Sequence, residues 1–263
     1  MKNVLITGGS SGIGFEISRR FAQNGFNIFW VSLEKEELIA AKKSLQGALP
    51  DIQVEYLVQD LSLEDGVEFV SKWVASKGII IDVLVNNAGY GCFGFTSSIS
   101  REKEENMIQL NVFSLYRLTR FFLDEMMKRN DGTIINISSN TSLQPVPKMA
   151  VYSATKSFVS HYSQSLSMEL EYQKSKVKVI TICPAAIRDT KFKSKAGMDH
   201  IKTFNGLVTT DKNEVADDVW KAYDRGINYR LSGLKLRLSY PLMSILPKFI
   251  INAIIRWELS GGK

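Results

Sequence analysis

The sequence, 263 residues long, is poor in the side chains that carry most metal and imidazole chemistry. It holds two histidines, His161 and His200, and two cysteines, Cys92 and Cys183. A structural zinc site draws about four Cys or His ligands, usually as close pairs, and no such pair occurs, so no metal is expected. Histidine-centred triads are disfavoured for the same reason. Two isolated cysteines build no disulfide framework, which points to a reducing compartment. Long apolar runs are also missing. The nearest, residues 242–255, is interrupted by Pro247, Lys248 and Asn252, and falls short of the roughly 20 apolar residues of a spanning helix. Met1-Lys2-Asn3 passes directly into Val4-Leu5-Ile6-Thr7, without the longer apolar stretch and cleavage site of a secretory signal. The expectation is a cytoplasmic chain that does not span a membrane. Charge is only mildly unbalanced: 33 basic against 27 acidic residues leave +6. That suits an anionic ligand or membrane surface without selecting either. The basic residues form no basic–aromatic cluster, so no nucleic-acid partner is expected.

What is present is alternation. Short runs rich in β-branched residues recur at 4–7, 28–31, 54–58, 83–85, 133–137 and 177–183. Between them, helical periodicity occupies 15–24, 35–45, 63–76, 102–129 and 151–172; a last helix at 213–225 precedes a seventh strand at 227–231. Alternating strands and helices predict an α/β fold, a doubly wound parallel sheet of about seven strands with helices on both faces. Near-continuous apolar strands such as Val83-Leu84-Val85 suit a sheet covered on both sides. No repeat or linker divides the chain, so residues 1–263 read as one domain.

The first strand runs into Thr7-Gly8-Gly9-Ser10-Ser11-Gly12-Ile13-Gly14. A glycine turn between strand and helix lets the backbone approach a phosphate, and the helix N-terminus offers it free N–H groups. A plain tight turn would look the same in isolation; its place after the first strand favours dinucleotide binding. The turn lacks the Gly-Lys-Ser/Thr ending of a P-loop, which argues against an NTPase.

Tyr152 and Lys156 lie four residues apart in a helical segment and share a face. An ammonium close to a phenol favours the phenolate, which equips the tyrosine for acid–base catalysis. Such a pair is common on helix surfaces and gains meaning only from company. Ser138-Ser139 ends the fifth strand, Asn86-Asn87-Ala88-Gly89 ends the fourth, and Asn111 lies in the long helix after it. Ligands of open parallel sheets bind at these carboxyl ends.

Together these motifs resemble the short-chain dehydrogenase/reductase family in its common single-domain form. The resemblance rests on T-G-x-x-x-G-x-G at 7–14, N-N-A-G at 86–89, Asn111, Ser139 thirteen residues before Tyr152, and Y-x-x-x-K. It covers about residues 1–190 and continues more loosely beyond. It implies a Rossmann-type sheet, a nicotinamide cofactor, and hydride transfer between that cofactor and an alcohol or carbonyl. Tyr152 would be the acid/base. Lys156 would lower its pKa and bind the nicotinamide ribose. Ser139 would hold the substrate oxygen, and Asn111 a water leading to Lys156. Cofactor contacts would come from Thr7, Gly8, Ser10, Ser11, Gly12, Ile13 and Gly14, from Asp60 and Leu61, and from Asn87, Ala88 and Gly89. Pro184 and Thr190 would complete them, although Pro184-Ala185 replaces the family's Pro-Gly and Thr190 sits one residue late. At the end of the second strand the family's acidic and basic selectors fall on Ser32 and Leu33. Ser32 with Lys35 favours NADP(H), while Glu34 keeps NAD(H) open. Cys92, Phe93, Phe95, Val146, Pro147 and Met149, with a loop at 191–210, would face a hydrophobic substrate. The basic and apolar tail, 227–263, would cover the pocket, join a homo-oligomer interface, or rest on a membrane. The competing function is a catalytically silent dinucleotide-binding sensor or scaffold. Retention of Asn111, Ser139, Tyr152 and Lys156 argues against it.

Overall fold

The computed structural model describes residues 1–188, 192–198, 209–247, 249–251 and 253. Thr190, Asp189, His200 and most of the expected substrate loop and distal tail lie outside these.

Seven strands form one parallel sheet: β1 (Asn3–Thr7), β2 (Asn27–Ser32), β3 (Val54–Val58), β4 (Val83–Asn86), β5 (Thr133–Ile137), β6 (Lys178–Pro184) and β9 (Tyr229–Ser232). Their order is β3-β2-β1-β4-β5-β6-β9. All pairs are parallel, in registers such as Val4↔Ile28 and Val4↔Val83. The strands are apolar on both faces because both are covered. Val4 and Ile6, with Ile28 and Trp30, enter one core; Leu5, with Phe29 and Val31, enters the other. Helices α1 (Gly12–Gln23), α2 (Lys35–Ala48) and α8 (Lys212–Arg225) supply the first core through Ile17, Phe21, Leu38 and Val219. Helices α3 (Gly66–Ser76), α5 (Leu115–Arg129) and α6 (Ala150–Tyr172) supply the second through Val70, Leu118, Phe122 and Leu166.

The structure departs from sequence expectation in three places. The single helix expected over 102–129 is instead α4 (Arg101–Ile108), a π-helical stretch (Gln109–Ser114) and α5. The Ser114 hydroxyl donates to the Gln109 carbonyl at 2.9 Å within this wider turn. The expected seventh strand begins two residues later, at Tyr229. Beyond β6 lie elements the periodicity did not announce. These are a two-stranded parallel pair, β7 (Ala186–Ile187) and β8 (Thr209–Thr210), a short α7 (Phe192–Lys195) and α9 (Leu234–Ile245). Among the described residues no helix is long and apolar enough to cross a membrane.

Buried Asp218 on α8 ties β9 and α9 together. It accepts from Arg230 (2.9 and 2.7 Å), Arg237 (2.7 Å), the Ser232 hydroxyl (2.9 Å) and the Gly233 N–H (3.1 Å).

Candidate active site

Strand order reverses between β1 and β4, where an open α/β sheet leaves a crevice. A cleft of about 600 Å³ lies there, along the carboxyl ends of the strands.

One end is the glycine turn. Gly8 and Gly12 have left-handed φ of 64° and 57°, a conformation most residues avoid. A Cβ on Gly14 would stand 2.2 Å from the Gly8 carbonyl, and one on Gly9 2.1 Å from the Trp30 ring. Nothing lies within 4 Å of a Cβ built on Gly12. The turn is therefore packed tightly inside and open on its cleft side, a surface that backbone N–H groups can present to phosphates. The Thr7 hydroxyl accepts from the Asn87 and Ala88 N–H groups at 3.0 and 2.9 Å. The Asn87 amide donates to the Thr7 and Gly8 carbonyls at 2.9 and 3.1 Å. The N-N-A-G segment thus clamps the turn.

Ser11, Gly12, Ile13, Ser32, Asp60, Leu61, Asn87, Ala88 and Gly89 all line the cleft. Gly8 lines it too, whereas Thr7, Ser10 and Gly14 do not. Asp60 accepts from the Ser62 N–H and hydroxyl at 2.8 and 2.7 Å, which fixes its carboxylate at the wall. At the end of β2, Ser10 and Ser32 hydroxyls meet at 3.0 Å, and Ser10 donates to Glu37 at 3.5 Å. Leu33, Glu34 and Glu37 line this end, whereas Lys35 is exposed and does not line it. Lys212, with no motif to mark it, lines the cleft and pairs with Glu16 at 3.3 Å.

The other end holds Tyr152 and Lys156, both buried on the face of α6 that meets β5. Lys156 Nζ donates to the Ile137 carbonyl at 2.9 Å and stands 5.9 Å from the Tyr152 ring centre. Ser138 does not face the cleft with its hydroxyl free: it donates to the Lys156 carbonyl at 2.7 Å. Ser139, which lines the cleft with Tyr152, accepts from the Thr141 N–H at 3.2 Å and donates to the Asn140 side-chain oxygen at 3.3 Å. Asn111, placed by the π-helical stretch, accepts from the Tyr90 N–H at 3.1 Å and donates to its carbonyl at 2.9 Å. It also donates to the Thr155 hydroxyl at 3.2 Å. A Cβ on Gly89 would be 2.8 Å from Asn111 Oδ1 and 3.5 Å from Lys156 Nζ, so only glycine leaves this passage open.

Charge at this end differs from the sequence expectation. Burial pushes the Tyr152 phenol up to about 12, against an opposing hydrogen bond from Ser139. Burial also pushes Lys156 down to about 8, with the nearby Cys183 thiol working the other way. Burial outweighs any lowering of the tyrosine, and the Lys156 ammonium is turned to the Ile137 carbonyl.

The walls around Tyr152 are apolar. Met149, Met198, Val146 and Phe192 line the cleft, and the Phe192 ring lies 5.5 Å from that of Tyr152. Gly91 makes room for both: a Cβ there would be 2.8 Å from Phe192 and 3.0 Å from Tyr152. Cys92 and Phe93 pack behind this wall, and Lys148 Nζ covers the Phe93 and Phe95 rings at 5.5 and 5.1 Å. Pro147 lines a separate shallow groove. Of the substrate-facing residues expected from sequence, Val146, Met149 and, from the loop at 191–210, Phe192 and Met198 line the cleft itself. Pro184 lines it too. Tyr90, Gly91 and Glu37 were missed. The first two follow N-N-A-G directly, so their position was available as a signal.

The short chain dehydrogenase family model matches residues 2–200. An NADP-dependent 3-hydroxy acid dehydrogenase of Salmonella typhi is 33% identical over 227 residues, 82% of this chain and 87% of that protein. A very-long-chain 3-oxoacyl-CoA reductase of Mycosarcoma maydis is 31% identical over 170 residues, 64% of this chain; the match takes in only 48% of the reductase. The chain thus spans about half the length of that curated relative. Among solved structures, a short-chain dehydrogenase from Sphingobium yanoikuyae in complex with NADPH superposes with a TM-score of 0.81. It is 30% identical and covers 94% of this chain and 97% of its own. With a parallel sheet, a glycine turn at its switch point and a family match over three quarters of its length, the chain belongs to the short-chain dehydrogenase family, oxidoreductases that use a nicotinamide dinucleotide on hydroxyl and carbonyl groups.

Proposed function

We propose that this protein reduces a hydrophobic carbonyl compound, or oxidises the matching alcohol, with Tyr152 as the acid/base. The observation that carries this reading is one cleft lined at one end by Ser139, Tyr152 and Lys156 and at the other by the glycine turn. A nicotinamide bound along that cleft supplies or accepts the hydride. In the reductive direction Tyr152 gives its proton to the carbonyl oxygen, and the Ser139 hydroxyl donates a hydrogen bond to the same atom. A phenol held near 12 is a weak acid, but a developing alkoxide is more basic still, so the proton transfer runs downhill. Lys156, close to 8, returns a proton to the tyrosine near neutral pH. Asn111 fixes the Tyr90 backbone beside them. Apolar walls support a hydrophobic substrate, and the relatives named for 3-oxoacyl and 3-hydroxy acid chemistry support a 3-oxoacyl class. Exposed Phe113, Tyr116, Phe158 and Met168 on the π stretch, α5 and α6 support a homo-oligomer through that side.

For the cofactor we favour NADP(H), supported by the Ser32 hydroxyl, which lines this end of the cleft, as a phosphate donor and by the NADPH-bound relative. NAD(H) is the second reading, favoured by Glu37: a carboxylate near that corner accepts from a ribose hydroxyl and repels a 2′-phosphate. Oxidation of NADPH and of NADH is followed side by side over ketones, aldehydes and 3-oxoacyl thioesters. Turnover with NADPH on an apolar carbonyl compound is expected. A preference for NADH that Glu37→Gln reverses would establish the second cofactor. Binding of either dinucleotide without turnover on any carbonyl class would favour the silent module.

A further inference from the structure

Helix α9 turns an apolar edge to the outside. Leu234, Leu238, Leu242 and Ile245 are 55%, 73%, 71% and 80% exposed. At 3.6 residues per turn they fall within an arc of about 80°. Leu236, on the opposite side, is 4% exposed and marks the face by which the helix is attached. Phe249, just past the helix, is 72% exposed. Single exposed leucines are ordinary on protein surfaces, but an aligned row is not.

The stretch of sequence that carries the edge is basic. From 225 to 257 there is no Asp or Glu, while Arg225, Arg230, Lys235, Arg237, Lys248 and Arg256 fall in that span. From residue 234 onward five basic residues face one acidic residue, so four of the six net positive charges lie in the last 30 residues. Arg230 and Arg237 are engaged by Asp218, and the Leu234 N–H at the helix start donates to Glu214 at 2.6 Å, whereas Lys235 is exposed and flanks the leucine edge. A second copy laid on this edge would bring like charge against like. A surface that is apolar beneath and anionic above matches both properties. The N-terminal end of the helix lies next to the cleft. Gly233 caps helix α9; a Cβ there would lie 3.2 Å from Thr210 and 3.5 Å from Ala185, and Ala185 lines the cleft.

We propose that α9 seats the protein on an anionic lipid surface, its leucine edge at the boundary of headgroups and acyl chains and Lys235 among the headgroups. This inference stands apart from the reaction, and its test uses neither cofactor nor substrate. The full chain is mixed with vesicles of phosphatidylcholine alone, or with roughly 30% phosphatidylserine, and floated on a density gradient. The expected result is flotation with the anionic vesicles that weakens as salt rises, and little with the neutral ones. Leu238→Ser/Leu242→Ser, which keeps the charge, is expected to weaken binding at least ~10-fold, and Lys235→Gln roughly fivefold. Both side-chain sets are exposed, so melting temperatures should stay at the wild-type value. The proposal is overturned if the wild type ignores both vesicles, or if the double variant floats as well as wild type. It is also overturned if light scattering shows a dimer that the double variant dissolves while neither protein binds vesicles, which would assign the edge to a second copy.

Discussion

Replacing Lys156 by methionine separates the burden this residue places on the fold from its service to the site. The side chain is buried, and its ammonium makes one hydrogen bond, to the Ile137 carbonyl. Burial lowers its pKa from 10.5 to about 8. Below pH 8 the amine is charged in both folded and unfolded chains, and the folded state carries the full desolvation penalty. A displacement of this size corresponds to about 3 kcal/mol. Methionine fills a similar volume without charge but leaves the Ile137 carbonyl without that donor, a loss of about 1 kcal/mol. The variant should therefore be more stable at pH 7 by about 2 kcal/mol, or roughly 4–8 °C in Tm for a chain of this size. Between pH 8 and 10.5 the folded chain gives up the proton that the unfolded chain keeps. Wild-type stability then rises relative to the variant, and the gap closes as pH climbs. Thermal melts of both proteins without nucleotide, at neutral pH and near the upper end of this window, measure it. Turnover should fall at least ~100-fold in the same variant, a gain in stability bought with function. A variant less stable than wild type at pH 7, or a gap that widens with pH, refutes the reasoning.

The remaining predictions test the turn and the C-terminal anchor. Gly14→Ala forces a Cβ to within 2.2 Å of the Gly8 carbonyl and should abolish the rise in Tm that dinucleotide gives the wild type. Gly12→Ala meets no neighbour but must hold φ near 57°, so it should lower Tm with a loss of only about 1 kcal/mol. Asp218→Asn should destabilise by about 3–5 kcal/mol at pH 7, since two arginines lose their buried partner. Burial works to raise the Asp218 pKa, but bonds from Arg237, Arg230, Gly233 and Ser232 hold it below 3.8. Its contribution is therefore present above pH 4 and lost as pH falls through the lower folded value, so urea titrations of wild type and variant should converge in acid.

Much of the sheet was legible because its strands are apolar on consecutive residues, a pattern that has meaning only when both faces are buried. Val4, Leu5 and Ile6 show this: neighbours in sequence enter opposite cores. The gathering of Ser139, Tyr152, Lys156 and Asn111 at one cleft end was legible from strand ends and an i, i+4 spacing. The π-helical turn that aims Asn111 was not, because one extra residue in a turn barely disturbs helical periodicity. The contact of Phe192 with Tyr152 joins residues 40 apart, and the space Gly91 leaves for Phe192 joins residues 101 apart. Lys35 and Glu37 sit two positions apart on α2, and only the helix's rotation decides which faces the cleft. The outward leucine edge of α9 has the spacing of a buried one; periodicity identifies a face without saying what covers it.

The most direct test of the central claim follows the proton donor and the hydride together. With a carbonyl substrate from the paired screen, nicotinamide cofactor deuterated at its transferable position should place deuterium on the carbinol carbon in the wild type. Tyr152→Phe should bind the dinucleotide with an undiminished Tm shift yet transfer label at least ~100-fold more slowly. Transfer at the wild-type rate by Tyr152→Phe would contradict the account.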